Sequence, residues 1–114
     1  MDLANIKKIM IGPIPYDVTI EDRILNSQNQ DLNGEIYYER GTIKISKDCH
    51  PVVQKVVVLH EVIHGVLDTA GITDHQEPWI VAVSNGLIKA FMDNPDLADY
   101  LTAPVSMETE EDNA

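Results

Sequence analysis

The sequence predicts an α+β domain in which a small β-sheet of about three strands packs against one long helix, with a second helix C-terminal to it. Two observations carry this reading. Apolar and polar residues alternate in short runs between residues 14 and 46, and from about Pro51 the apolar period lengthens to 3.6 residues. With 114 residues, 44% of them apolar, the chain has enough material for one modest core without disulfides. The expected organisation is a single domain over residues 1–105 and an acidic flexible tail over 106–114.

The leading segment holds Leu3, Ile6 and Ile9 at near-helical spacing but also Ile9 and Ile11 at strand spacing; Gly12-Pro13 ends it either way, and its type stays open. Residues 14–20 then place Ile14, Tyr16, Val18 and Ile20 on one side and Pro15, Asp17 and Thr19 on the other, the mark of a half-buried strand. Pro15 has no N–H for a ladder, so the strand begins there or lies at an edge. The polar stretch Asn26 to Asp31, closed by Asn33-Gly34, reads as a surface loop. Two further runs, Glu35 to Glu39 and Thr42 to Ser46, flank Arg40-Gly41 and predict a hairpin.

From Pro51, the residues Val53, Val56, Val57, His60, Ile63, His64 and Leu67 share one helical stripe, with Gly71 beyond its end as a stop signal. A second helix is expected from Glu77-Pro78, because proline is tolerated in a first turn, with Ile80, Val81, Leu87, Ile88 and Phe91 as its apolar face. Asn94-Pro95 ends it, and a short turn through Asp96 to Leu101 leads to the tail.

Nineteen acidic and eight basic residues give a net charge of −11, the wrong sign for neutralising phosphates, so nucleic acid is excluded as a direct partner. The charge is uneven: residues 1–56 carry eight acids and seven bases, whereas 57–114 carry eleven acids and Lys89 alone. The longest aliphatic run, Val56 to Leu59, is far short of the ~20 residues of a membrane span. Cys49 is the single cysteine and Met1 to Asn5 lacks an export-signal layout, so the expected compartment is the cytoplasm.

The chemistry-bearing element is His60-Glu61-Val62-Ile63-His64, the H-E-x-x-H pattern. Histidines at i and i+4 lie one turn apart on one helix face, so both can donate a nitrogen to one zinc ion, with Glu61 leaning in from the side. Buried without a cation, two histidines and a glutamate would be costly, which weighs against a purely structural role. Zinc is the default metal for such a set, though spacing does not exclude manganese, cobalt or iron.

A catalytic zinc normally takes three protein ligands. Leu67 and Ala70 stand where a metzincin has Gly and His, which excludes that class. Asp68 lies about 12 Å along the axis from His60, too far to share the ion and better suited to orienting a histidine N–H. Asp74, His75 and Glu77 remain; Glu77 is favoured because it opens a rigid second helix folded back on the first, with His75 next. Glu61 is then the general base of a metal-assisted amide hydrolysis. Tyr37, Tyr38 and His75 are candidate oxyanion donors, and Tyr16 less so because its register points it inward. An exposed sheet edge could receive an extended peptide, and the Asn26-to-Gly34 loop could lie over the site.

Tyr16-Asp17-Val18, Gly34 to Tyr38, Val58 to Gly65, and Ser84-Asn85-Gly86-Leu87 leading to Asp93-Asn94-Pro95 together resemble the small phage and prophage zinc peptidases of the ImmA/IrrE-like group. The resemblance spans about residues 9 to 97, and only the H-E-x-x-H core is strongly specific. It implies a gluzincin-like arrangement with His60, His64 and Glu77 as zinc ligands, Glu61 as base, a protein or peptide substrate and a bacterial host cytoplasm. Pro78 directly after the implied ligand departs from the group's pattern. Larger relatives carry DNA-binding or sensor domains for which this chain has no room. The alternative function is an inert interaction module whose zinc site is structural or vestigial and whose acidic half docks a basic partner.

Overall fold

The computed structural model describes residues 1–105; the expected acidic tail at 106–114 lies outside the described residues. The fold is α+β, and its main sheet has four strands rather than about three. The extra strand comes from the leading segment, which divides into a 3-10 turn, Leu3–Asn5, and strand β1, Lys8–Ile11. Of the two spacings, the strand one holds for Ile9 and Ile11, while Ile6 and Ile9 lie beyond the turn in extended backbone.

Strand β2, Ile14–Glu21, pairs antiparallel with β1 and parallel with β6, Thr42–Ser46, which pairs antiparallel with β5, Gly34–Tyr37. The order is β1-β2-β6-β5, so β5 is an edge and completes the expected hairpin with β6. Pro15 sits second in the interior strand β2, opposite Met10, where the missing N–H falls at the strand's start. A two-stranded ribbon that periodicity did not reveal, β3 (Ile24–Leu25) with β4 (Asp31–Leu32), brackets the polar loop. Its strands are two residues each, too short for any alternation to register.

Ile11, Tyr16, Val18, Ile43 and Ile45 form the core. Ile20, expected beside them, is 40% exposed, at the rim of a groove also lined by Val58, Leu59 and Ile88. Helix α1, Pro51–Thr69, covers the sheet through Val57, Val58 and Val62. Helix and sheet come close at Gly65, where an added Cβ would lie 2.6 Å from Ile11 Cδ1 and 3.1 Å from Ile36 Cδ1. Much of the expected stripe therefore points elsewhere. Val53, Val56, His60 and His64 line a cleft shared with helix α2, Glu77–Asp93, instead of the sheet-facing core. The segment expected to be a short turn is an eight-residue helix, α3, Pro95–Thr102, whose proline occupies the tolerant first turn. Among the described residues no helix is long and apolar enough to cross a membrane.

Candidate metal centre

Two helices bring the site together. At the start of α1, Pro51 occupies the first turn and the Val52 amide donates to His50 Nδ1 at 3.2 Å, satisfying one of the free N–H groups of the helix start. Three turns further on, the helix presents His60, Glu61 and His64. Helix α2 opens with Glu77 and Pro78 in its first turn, so the proline breaks no helical hydrogen bond. The capping boxes that Asp74 or Thr73 would start do not form; Asp74 Oδ1 instead accepts from Gln76 Nε2 at 2.7 Å.

His60, His64 and Glu77 converge on one point and could hold a metal ion. His60 Nε2 and His64 Nε2 are 3.2 Å apart, and they lie 3.1 and 2.8 Å from Glu77 Oε2 and Oε1 respectively. Donors around a tetrahedral ion with bonds of about 2.0–2.1 Å stand about 3.3 Å from one another. The two histidine nitrogens stand close to that spacing, and one donor atom from each of the three residues lies within 4.8 Å of the others.

Hydrogen-bond logic says what should sit between them. His75 Nε2 is 2.5 Å from the Ile72 carbonyl, which can only accept, so this nitrogen carries the proton. With His75 neutral, its Nδ1 is then the acceptor for His64 Nδ1–H at 2.8 Å. That leaves His64 Nε2 as a lone pair aimed at a carboxylate oxygen 2.8 Å away, a repulsive contact unless a cation intervenes. A proton is a poor cation there: burial pushes the His64 imidazole below its ordinary pKa, and neighbouring His60 and His75 act the same way, against the pull of Glu77. A metal ion between them would meet the requirement.

Glu61 is buried at 6% exposure beside this point, with no Lys or Arg in ion-pair contact among the described residues. Burial, reinforced by the Glu77 and Glu35 carboxylates, pushes its carboxyl up to about 7. Such a carboxyl exchanges a proton readily near neutrality, as a general base must. A cleft of about 610 Å³ opens over the site between Leu32, Asn33 and Gly34 on one side and the facing residues of α1 and α2 on the other. The end of the Asn26-to-Gly34 segment thus reaches the rim, as the sequence suggested.

The remaining sequence candidates separate cleanly. Asp74 is exposed and bonded to Gln76, and His75 stands behind His64 instead of joining the three donors. Asp68 does not orient a ligand; the partner of the His64 N–H is His75. Tyr16 lies fully buried in the core, and Tyr37 is engaged with Glu35 and under the Lys44 ammonium, 5.2 Å from its ring centre. Tyr38 is not among the residues lining the cleft, but its ring meets His75 in a T-shaped arrangement with centroids 6.3 Å apart. Burial and the carboxylates of Asp68, Glu61 and Glu77 push its phenol up to about 12, so it stays a neutral O–H donor.

Ser84 and Asn85 line the cleft and were not anticipated. Ser84 is fully buried, its hydroxyl donating to the Ile80 carbonyl at 2.8 Å. The available signal was the spacing of Glu77, Val81, Ser84 and Asn85, which puts all four on one helix face. In comparisons with known proteins, no family model, no curated protein and no solved structure matches the chain.

Proposed function

We propose that the protein is a zinc-dependent metallopeptidase. The observation that supports it is the convergence of His60 Nε2, His64 Nε2 and Glu77 at one point on the cleft wall, with the buried Glu61 beside it. Two imidazoles and a carboxylate from two helices form the donor set of a catalytic zinc, which needs one position left for water or substrate. Zinc bound there supplies Lewis-acid activation of a water molecule and of an amide carbonyl.

The chain's own residues do the rest. Glu61 removes a proton from the attacking water and delivers it to the amine nitrogen as the peptide bond breaks. The Tyr38 hydroxyl donates to the oxygen on which negative charge develops. Strand β5 is an edge, so an extended peptide adds along Gly34–Tyr37 and reaches the cleft where Gly34 lines it. The sequence resemblance to ImmA/IrrE-like zinc peptidases implies the same roles, a phage or prophage source, and a protein or peptide substrate in the bacterial cytoplasm.

A library of unstructured peptides incubated with the zinc-loaded protein and with Glu61→Gln tests the reading. Cleavage by the parent that vanishes in the variant, with zinc retained in both, is the expected result; cleavage surviving in Glu61→Gln removes Glu61 as the base.

One observation favours the second reading, an interaction module without catalysis. Trp79, Tyr100 and Leu101 stand 75%, 78% and 58% exposed on α2 and α3. Under that reading a basic partner is captured in a strongly salt-dependent way, and Glu61→Gln leaves the capture unchanged.

A further inference from the structure

Helix α1 ends in a Schellman motif. The Ile72 amide donates to the Leu67 carbonyl at 2.9 Å, the Gly71 amide donates to the Asp68 carbonyl at 3.0 Å, and Gly71 has φ +82°. This motif holds the Ile72 peptide in place directly after the helix. The Ile72 carbonyl accepts from His75 Nε2–H, and His75 Nδ1 lies 2.8 Å from His64 Nδ1. The two imidazoles have centroids 5.0 Å apart and planes 26° from parallel, as side-by-side rings joined by an in-plane N–H···N bond do, and the Tyr38 ring meets His75 at 87° with centroids 6.3 Å apart.

We propose that His75 is a positioning residue that fixes the tautomer and ring orientation of His64, so that the helix cap of α1 is wired to the metal centre through Ile72 and His75. The proposal rests on the metal-binding reading above and adds a residue to it. A carbonyl oxygen has lone pairs only, so it sets the direction of every hydrogen bond in the chain that follows. A neutral His75 therefore donates from Nε2, accepts at Nδ1, and thereby holds the proton of His64 on Nδ1. His64 Nε2 is left free of a proton and aimed at His60 Nε2 and Glu77, 3.2 and 2.8 Å away. Ligand histidines are commonly oriented by a carboxylate or carbonyl bonded to the second ring nitrogen. Here a neutral imidazole relays a backbone carbonyl into that role. The same geometry excludes His75 as an oxyanion donor, because both its nitrogens are committed.

The test reads tautomers and affinity separately. Long-range proton–nitrogen NMR spectra of the full chain, recorded at mildly alkaline pH without metal and again with zinc, distinguish protonated from unprotonated ring nitrogens. The expected result is a proton on Nε2 of His75 and on Nδ1 of His64 in both samples; a proton on Nδ1 of His75 overturns the proposal. Chelator competition then compares zinc affinity of the parent, His75→Ala and His75→Gln. His75→Ala should bind zinc roughly 10- to 100-fold more weakly, and His75→Gln, whose amide can both accept from His64 and donate to Ile72, should recover most of that loss. Equal affinity in the parent and His75→Ala, with circular dichroism showing both folded, also overturns it. A parent that binds no zinc defeats the metallopeptidase reading instead, and the metal-free spectra still decide the tautomers.

Discussion

Glu77 Oε1 lies 2.8 Å from His64 Nε2, so an acid from the first turn of one helix meets a histidine deep in another. Glu77 Oε2 reaches His60 Nε2 in the same way, at 3.1 Å. The carboxylate thus closes a clamp that two histidines on one helix leave open.

Replacing Glu61 by Gln should preserve this clamp, because Glu61 is not among the three converging donors. Zinc content and thermal stability should match or exceed the parent's, while cleavage falls by about 10²- to 10⁴-fold, the usual range for a lost general base. Elemental analysis beside a single-turnover cleavage assay checks both halves.

The same carboxyl makes the metal-free protein sensitive to pH. Glu61 titrates at about 7 in the folded chain against 4.5 for the free side chain, so between those values the folded state holds a proton that the unfolded state has released. The Glu61 contribution to the stability of the metal-free chain therefore falls as pH rises from about 4.5 through 7, by roughly 3 kcal/mol, while His64, shifted down by burial, contributes in the opposite sense. Urea denaturation across that window, with chelator present, should show a slope in the parent that Glu61→Gln flattens.

Tyr38→Phe should separate chemistry from metal binding. The hydroxyl has no place among the metal donors, so zinc stoichiometry stays at the parent's level. Loss of one oxyanion donor should reduce kcat by about 10²- to 10³-fold with KM little changed. Tyr37→Phe, whose ring lies against Lys44, serves as the neutral comparison.

Gly65 sets the distance between α1 and the sheet one residue after His64. Gly65→Ala puts a methyl group into the space of Ile11 Cδ1 and Ile36 Cδ1, and overpacking of this kind costs about 1–3 kcal/mol. Chemical denaturation reads that cost directly. Because lifting the helix also displaces His64, zinc affinity should fall together with stability.

The long helices were legible because their signals are local: a sustained 3.6 period, proline at each start, glycine after α1 and asparagine-proline after α2. The grouping of His60, His64 and Glu77, which could hold a metal ion, was legible from one turn of spacing and from Glu77 opening a helix. The role of His75 was not legible, since it depends on where the turn after α1 returns the chain, which is tertiary information. The four-strand sheet was missed for a related reason. Ile9 serves both a helical and a strand pattern, and only pairing with Tyr16 decides between them. Likewise, periodicity marked an apolar stripe on α1 but not which neighbour it faces; Val53 and Val56 line the cleft, Val57 meets both cleft and core, and Val58 and Val62, outside the stripe, pack against the core.

Metal content per chain tests the central claim most directly, measured on protein purified without added metal and again after zinc is supplied and the excess removed. The parent should hold about one zinc ion per chain, and His64→Ala and Glu77→Ala should each hold far less, since a catalytic site needs all three protein ligands. A folded parent that retains no zinc even after it is supplied, or a Glu77→Ala variant that retains as much as the parent, would contradict the account.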